Sequence, residues 1–227
     1  MEKKLEIKDS SPDIPEYRYF VGPPQRYDFI AAMVFNLLTC LGLREEHHLL
    51  DIGCGSLRIG RLLIPYLNSN NYWGTEPNGW LVEEGVKNEI GKDLVEIKKP
   101  HFVISEYYDE IPENLFFDFI LAHSIFTHAP ISLIKYWLDY AKSHLTEKGI
   151  MIATFFLGNN DYDGQKWVYP DGITFKFDTI LRLAKSQGLF CSIVDWRFHH
   201  NQSWLLFSKY NYEIPQNLSW NNPLIKR

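Results

Sequence analysis

The residue types best suited to binding a ligand follow two short apolar runs in the first third of the chain. Gly53 and Gly55 come directly after the run at residues 48–52, within the segment DIGCGSLR at 51–58. Two glycines let the backbone turn tightly and approach a ligand closely, and a helix predicted to follow them presents free N–H groups to a carboxylate or phosphate. A plain glycine turn is the alternative interpretation.

An acid, Glu76, follows the second apolar run, about twenty residues after the glycines. An acid at this place commonly accepts hydrogen bonds from two ribose hydroxyls, and the alternative is a solvated surface carboxylate. A hydride-transferring dinucleotide enzyme has a third glycine where this chain has Arg58, which disfavours a nicotinamide cofactor. The order of strand, glycine loop, helix, strand and acid favours the ribose interpretation.

Alternating helical and strand patterns predict the elements that position these residues. Apolar residues at three- and four-residue steps predict helices from Tyr27 and over residues 57–67, 78–90, 131–145 and 177–187. Short apolar runs predict strands over residues 48–52, 72–76, 101–105, 117–122 and 149–156, with a closing antiparallel pair over 192–198 and 203–208. This alternation predicts a parallel sheet covered on both faces, in which a ligand lies beyond the carboxyl ends of the strands.

Composition is typical of a globular protein and disfavours several functions. Hydrophobic residues make up 45% and charged residues 22%, and the formal net charge of −5 weakens the case for a nucleic-acid partner. Three cysteines with no CxxC pair predict neither a disulfide framework nor a zinc site. The charged N-terminus and the lack of an apolar run long enough for a bilayer predict a cytoplasmic protein without a membrane partner.

Length and composition predict a single α/β domain with additions at both ends. Prolines predict an irregular N-terminal arm or lid over residues 1–26, and the periodic patterns occupy residues 27–210. Residues 158–175 are predicted to form a long substrate loop, because loops of this length in a compact domain are usually functional. Residues 211–227 form the predicted C-terminal tail.

Four segments in register resemble the motifs of class I S-adenosylmethionine-dependent methyltransferases. They are LLDIGCG at 49–55, YWGTE at 72–76, FDFILAHSIFTH at 117–128 and LTEKGIMI at 145–152. The resemblance covers about residues 27–210 and implies a doubly wound, Rossmann-like fold. Its sheet would have seven mostly parallel strands with an antiparallel edge strand, in a three-layer αβα arrangement.

The resemblance implies S-adenosylmethionine as the cofactor, with S-adenosylhomocysteine as its product. Glu76 would hold the ribose, Ser105 or Glu106 would lie beside adenine, and Arg58 would pair with the cofactor carboxylate or else face water or an acid. The family often has a third glycine where this chain has Leu57. The implied cofactor-binding residues are Asp51, Gly53, Cys54, Gly55, Ser56, Arg58, Glu76, Pro77, Ser105, Glu106, Ala122 and His123.

His128 is the candidate catalytic base. An alcohol acceptor needs a base within hydrogen-bond reach, and histidine serves near neutral pH. The alternatives are a cap for the helix beginning near Ile131 or a supporting hydrogen bond, whereas His199 and His200 are predicted to lie in a surface turn. The candidate substrate-binding residues are Tyr19, Tyr27, Phe155 and Trp167. Rings of the arm and loop that only pack on the core are the alternative interpretation.

The sequence therefore predicts methyl transfer to a small-molecule acceptor, with oxygen preferred and no metal. The segment at residues 122–125, AHSI, does not resemble the Asn-Pro-Pro-Tyr of enzymes that methylate DNA bases or glutamine. It also lacks the acids and amide that hold a divalent metal in catechol-type enzymes. A catalytically inactive cofactor-binding partner protein and a NAD-dependent oxidoreductase are the alternatives, and the oligomeric state stays open.

Overall fold

A computed structural model describes residues 14–196, 201–215 and 218 of the 227-residue chain. The first part of the predicted arm, most of the predicted tail and the predicted surface turn with His199 and His200 lie outside the described residues. Within the described part of the chain, no helix has the length and apolar character needed to cross a membrane.

The predicted helices and strands are present in the predicted order, and the structure adds two short helices, Glu16–Phe20 and Lys92–Lys98, and a short strand, Thr174–Phe175. The strands are β1 (Leu49–Ile52), β2 (Tyr72–Thr75), β3 (His101–Val103), β4 (Phe117–Ala122), β5 (Leu145–Leu157), β6 (Thr174–Phe175), β7 (Phe190–Val194) and β8 (Ser203–Ser208). The α-helices are α1 (Glu16–Phe20), α2 (Tyr27–Cys40), α3 (Gly60–Tyr66), α4 (Gly79–Gly85), α5 (Lys92–Lys98), α6 (Ile131–His144) and α7 (Phe177–Ser186). A 3₁₀ turn (Pro24–Arg26) precedes α2, and a π-helical turn (Val86–Ile90) continues α4.

Seven strands form one mostly parallel sheet in the order β3-β2-β1-β4-β5-β8-β7. β8 is antiparallel to both of its neighbours, so the antiparallel pairing lies at this edge with β7 outermost, and the two-residue β6 pairs with the end of β5. The chain builds outward from β1 to β3 and then returns to β4. The strand order therefore reverses between β1 and β4, which is where doubly wound sheets bind ligands.

The two faces of the sheet bury separate apolar clusters, as a parallel sheet between two helical layers requires. All four residues of β1 are buried, and neighbours in sequence contribute to opposite faces. Leu50 belongs to a cluster with Trp137 of α6, whereas Leu49 packs with Leu37 of α2 and Leu63 of α3. This burial on both sides fixes β1, and with it the turn that follows.

The turn after β1 is longer than the sequence predicts. Gly53 and Gly55 have φ angles of 67° and 55°, and Leu57, which stands where the family often has glycine, also has a positive φ of 59°. A left-handed conformation in a non-glycine residue costs about 1–3 kcal/mol. The Leu57 side chain is fully buried in the α2–α3 cluster, which offsets that cost. The predicted helix from Leu57 therefore begins only at Gly60.

Helix α4 lies directly against this turn. A Cβ atom built on Gly85 would lie 2.6 Å from the carbonyl oxygen and 2.7 Å from the carbonyl carbon of Ser56. These are backbone atoms, so the helix and the turn can approach this closely only if position 85 has no side chain.

We predict that Gly85→Ala lowers the free energy of unfolding by about 1–3 kcal/mol, the usual range for an overpacked site. The matched control is Gly79→Ala in the same helix, where an added Cβ would meet only the half-exposed Ile104 side chain at 3.3 Å. Urea unfolding of both variants measures the difference. Equal stability of the two variants would contradict the close contact with Ser56.

Candidate active site

A cavity of about 780 Å³ lies at the carboxyl ends of β1, β2, β3 and β4. Its volume is within the ~300–1,000 Å³ of small-molecule sites. The arm closes one side, and the loop between β5 and β6 closes another. The predicted site residues that line it are Tyr19, Gly53, Gly55, Arg58, Glu76, Pro77, Ser105, Glu106, His123, His128 and Trp167.

Six predicted site residues lie behind the cavity wall. They are Tyr27, Asp51, Cys54, Ser56, Ala122 and Phe155, and all six are buried. Phe155, a predicted substrate-binding residue, does not line the cavity, because side chains alternate along a strand and its neighbour faces the cavity instead. Phe156 lines the cavity, whereas Phe155 packs against Phe126 and Phe207 in the core.

Ala122 and Cys54 are also directed into the protein. Ala122 is fully buried in the core cluster under α6. The Cys54 sulfur lies so close to β2 that a Cβ on Gly74 would be 2.8 Å from it. Burial raises the pKa of the Cys54 thiol, which keeps it neutral and suits an apolar packing role.

Tyr27 and Ser56 support the glycine turn from behind. The Tyr27 hydroxyl donates to the Ser56 carbonyl oxygen at 3.0 Å and lies 3.1 Å from the Ser56 hydroxyl. Arg18 stacks its guanidinium 4.4 Å from the Tyr27 ring centre, and Arg61 lies 5.5 Å from the same centre. Tyr27 therefore connects α2 and the arm to the turn instead of contacting a ligand in the cavity.

Asp51 is buried beneath the same turn. Its Oδ2 atom accepts a hydrogen bond from the Tyr72 hydroxyl at 2.9 Å. Burial raises the pKa of Asp51 to about 7, even though that hydrogen bond favours the charged form. The side chain braces β1 against β2 beneath the turn and is not among the residues that line the cavity.

The raised pKa of Asp51 predicts a pH-dependent stability. Between about pH 4 and pH 7 the folded protein holds a proton on Asp51 that the unfolded chain has lost, so unfolding becomes easier as the pH rises, by up to about 1.4 kcal/mol per pH unit. Asp51→Asn removes this contribution. Urea unfolding from pH 4.5 to 8 should show the variant gaining stability relative to the parent as the pH rises.

The matched control for Asp51→Asn is Asp93→Asn at an exposed position of α5, which removes one carboxylate without changing the buried pair. A difference between Asp51→Asn and the parent that stays constant over this pH range would contradict the predicted linkage.

Glu76 joins the ends of β1 and β2. Its Oε2 atom accepts from the Gly55 amide at 3.1 Å, and Oε1 accepts from the backbone and side-chain nitrogens of Asn78 at 2.9 Å and 2.8 Å. Glu76 is 6% exposed, and burial raises its pKa. A carboxylate has about four acceptor positions. One therefore remains on Oε2, which differs from the predicted grip on two ribose hydroxyls at once.

Arg58 places a buried positive charge in the cavity wall. Its Nη1 donates to the Val21 carbonyl oxygen at 2.8 Å, Nη2 lies 3.3 Å from Nδ1 of His123, and the buried Nε has no hydrogen-bond partner. Among the described residues, no carboxylate lies within 4.0 Å of this guanidinium, and burial lowers the pKa of Arg58 to about 10. Arg58 therefore faces neither water nor an acid, and its charge is available to an anionic ligand.

His128 supports the loop after β5 and also lines the cavity. Its Nδ1 lies 3.0 Å from both the Val168 and the Asp171 carbonyl oxygens, and its own carbonyl oxygen accepts from the Val168 amide at 3.0 Å. Carbonyl oxygens only accept, so Nδ1 carries the proton and the neutral ring keeps its lone pair on Nε2. Pro130, not His128, holds the N-cap position of α6, so the capping alternative is wrong.

The arm lies over the cavity and contacts both the glycine turn and the loop. Val21 packs on the turn, since a Cβ on Gly55 would lie 2.9 Å from its Cγ1 atom. The centre of the Phe20 ring lies 5.3 Å from that of Trp80 and 5.9 Å from that of Tyr169. The Tyr169 hydroxyl donates to the Phe20 carbonyl oxygen. These contacts make the arm part of the wall.

Glu89, in the π-helical turn, anchors helix α1 of this arm. It accepts hydrogen bonds from Tyr17 at 2.8 Å and from Arg18 at 2.7 Å, and its side chain is 3% exposed. The arm is therefore attached to the sheet domain on both sides of its aromatic segment.

Several lining residues had no clear signal in the sequence. Tyr169 lies in the predicted substrate loop, whose rings the sequence already indicates as candidates. Ser124 follows β4 and Gln202 precedes β8, so these two residues come together only in the folded chain. The Gln202 side-chain nitrogen donates to the Ser124 hydroxyl at 3.0 Å, and both residues line the cavity.

Solved structures share this fold. Magnesium protoporphyrin IX methyltransferase from Synechocystis PCC 6803, with bound S-adenosylmethionine, superposes with a TM-score of 0.61 at 13% identity, over 88% of this chain and 87% of that one. An S-adenosylmethionine-dependent methyltransferase from Clostridium acetobutylicum gives 0.59 at 16% identity, over 85% and 95% of the two chains. A TehB-like methyltransferase from Corynebacterium glutamicum gives 0.56 at 20% identity, over 82% and 95%.

No sequence model of a known protein family matches the chain. The structural matches, all at low identity, show that the chain has the fold of class I S-adenosylmethionine-dependent methyltransferases. The fold class that the four motifs predict is thereby confirmed.

Proposed function

We propose that this protein is a methyltransferase that uses S-adenosylmethionine to methylate an oxygen of a small molecule. The observation that carries the proposal is the joint placement of the glycine turn, the buried Glu76 and the buried Arg58 in one cavity. This cavity lies at the strand-order reversal of a methyltransferase fold. A cytoplasmic location and a metal-free reaction remain predictions of the sequence.

The residues present fit the cofactor at both of its polar ends. The free acceptor position on Glu76 suits one ribose hydroxyl, and Ser105 and Glu106 both line the cavity beside it, where adenine would lie. The Arg58 guanidinium, which lines the cavity, suits the carboxylate of the methionine moiety. A buried cation without an anionic partner is costly, so a ligand carboxylate at this point would stabilise the site.

His128 would complete the reaction on the acceptor side. When bound, S-adenosylmethionine supplies an electrophilic methyl group, whose bond electrons remain on sulfur as the new bond to oxygen forms. Nε2 of His128 would take the proton that the acceptor hydroxyl loses. The two carbonyl oxygens on Nδ1 fix the tautomer and the ring orientation for this role, as a partner on the second nitrogen does in other histidine bases.

The arm would act as a lid over the bound cofactor. It supplies Tyr19, Phe20 and Val21 to the cavity wall, and its Val21 carbonyl oxygen accepts a hydrogen bond from Arg58. A closed arm would exclude water from the reacting groups and strengthen their electrostatic interactions.

Calorimetry with S-adenosylhomocysteine and with NAD tests the cofactor assignment. We expect stoichiometric binding of S-adenosylhomocysteine and none of NAD. Glu76→Gln should weaken that binding by about tenfold or more, because it removes a charged acceptor of the kind that contributes about 1.5–3 kcal/mol. Glu83→Gln, at an exposed acid of α4, is the matched control and should bind like the parent. Binding of NAD instead would favour the oxidoreductase alternative.

His128→Asn tests the proposed base. The Asn side-chain nitrogen can still donate to the loop carbonyls in place of Nδ1, but no lone pair replaces Nε2. With an acceptor found by screening hydroxylated metabolites against radiolabelled S-adenosylmethionine, kcat should fall by about 10²–10⁴-fold.

The affinity of His128→Asn for S-adenosylhomocysteine should remain that of the parent, which separates loss of the base from loss of the fold. Parent-like turnover with an unchanged pH profile would remove His128 as the base. Cofactor binding without turnover on any acceptor would favour the inactive partner protein.

A further inference from the structure

The lining of the cavity combines charged and aromatic residues. Among the described lining residues, the charged side chains are Arg58, Glu76 and Glu106, and the cofactor assignment uses all three. Five rings from four separate segments also line it. These rings are Phe20 of the arm, Trp137 of α6, Phe156 of β5, and Trp167 and Tyr169 of the loop after it.

Among the described lining residues, no cationic side chain is left for a carboxylate or phosphate of the acceptor once Arg58 pairs with the cofactor carboxylate. Burying an ion without a partner costs several kcal/mol, so these anionic groups are disfavoured on the acceptor. An acceptor without an anionic group does not carry this cost. The cavity lining therefore selects against anionic acceptors.

The exposure of two of these rings indicates a flat ligand. Trp167 is 44% exposed and Tyr169 36% exposed, although both belong to the cavity wall. Their ring centres lie 5.7 Å and 5.2 Å from the centre of the His128 ring. A planar ring placed among them would bury this surface and add offset or edge-to-face contacts of the kind aromatic pairs prefer.

A hydrogen-bonded polar pair, Ser124 and Gln202, also lines the cavity. The Gln202 amide lies against the Ser124 hydroxyl, with Nε2 at 3.0 Å and Oε1 at 3.3 Å, and the Ser124 amide is itself held by the Thr154 hydroxyl at 2.7 Å. A glutamine amide has two N–H donors and two acceptor lone pairs, and one serine hydroxyl uses at most one of each. Among the described residues no other partner is present for the Gln202 amide, so at least one donor and one acceptor are left for a ligand.

We propose that the acceptor is a planar aromatic hydroxy compound without an anionic group and that Gln202 selects it by pairing with a second polar substituent on the ring. The inference rests on the proposed function. The hydroxyl to be methylated faces His128, whose Nε2 receives the proton, while the second substituent, a carbonyl, amide or ether, reaches the Gln202 amide. Gln202 is thus a specificity-determining residue and takes no part in the bond changes.

The full-length chain saturated with S-adenosylhomocysteine provides the test. The three positional isomers of hydroxybenzamide, of the isosteric hydroxybenzoate and of the saturated hydroxycyclohexanecarboxamide are titrated by ligand-observed NMR. We expect at least one hydroxybenzamide to bind about tenfold or more tightly than both its charged and its saturated counterparts. Gln202→Ala should lower that affinity about tenfold, the effect of one lost hydrogen bond to a desolvated ligand, and leave S-adenosylhomocysteine binding unchanged.

Gln187→Ala, at the distant end of α7, is the matched control and should bind all ligands like the parent. The inference is overturned if no hydroxybenzamide binds, if the benzoate or the saturated compound binds as well, or if Gln202→Ala matches the parent. A parent chain that does not bind S-adenosylhomocysteine instead overturns the proposed function, so the two failures are distinguishable.

Discussion

The hydrogen bond from the Gly55 amide to the Glu76 carboxylate joins the ends of β1 and β2, and the geometry of the cavity depends on it. The bond spans 3.1 Å between a left-handed turn and the first residue after the neighbouring strand. Because Glu76 also accepts twice from Asn78, the same carboxylate positions the start of α4. One buried side chain thus fixes both backbone segments that would face a nucleoside.

The rest of the domain keeps that turn in a conformation it would not adopt alone. Leu57 holds a left-handed φ because its side chain is buried between α2 and α3, and Gly85 lets α4 approach the Ser56 carbonyl group. Tyr27 donates to that carbonyl from the other side. The backbone cost of the turn is therefore offset by packing from three helices, and the Cys54 and Gly55 amides of the turn donate to Thr75 and Glu76 at the end of β2.

The cavity wall contains a buried cation and several aromatic rings. Arg58 is a buried cation without an anionic partner among the described residues, and it lies on the glycine-turn side of the cavity. The arm and the loop supply mostly rings to the cavity wall, and they are joined to each other through Tyr169 and Phe20. The Val21 carbonyl oxygen of the same arm accepts from Arg58, so charged and aromatic lining meet in one cavity.

The sequence by itself determined the class of fold and the positions of the ligand-binding turns, because helix and strand periods and glycine spacing are local properties of the chain. β4, for example, has the predicted bounds of Phe117–Ala122. Only the tertiary structure decided which side chains face the cavity: Phe156 instead of Phe155, Asp51 and Tyr27 as supports, and Gln202 beside Ser124. Those outcomes depend on strand alternation and on contacts between segments far apart in sequence, which no local pattern records.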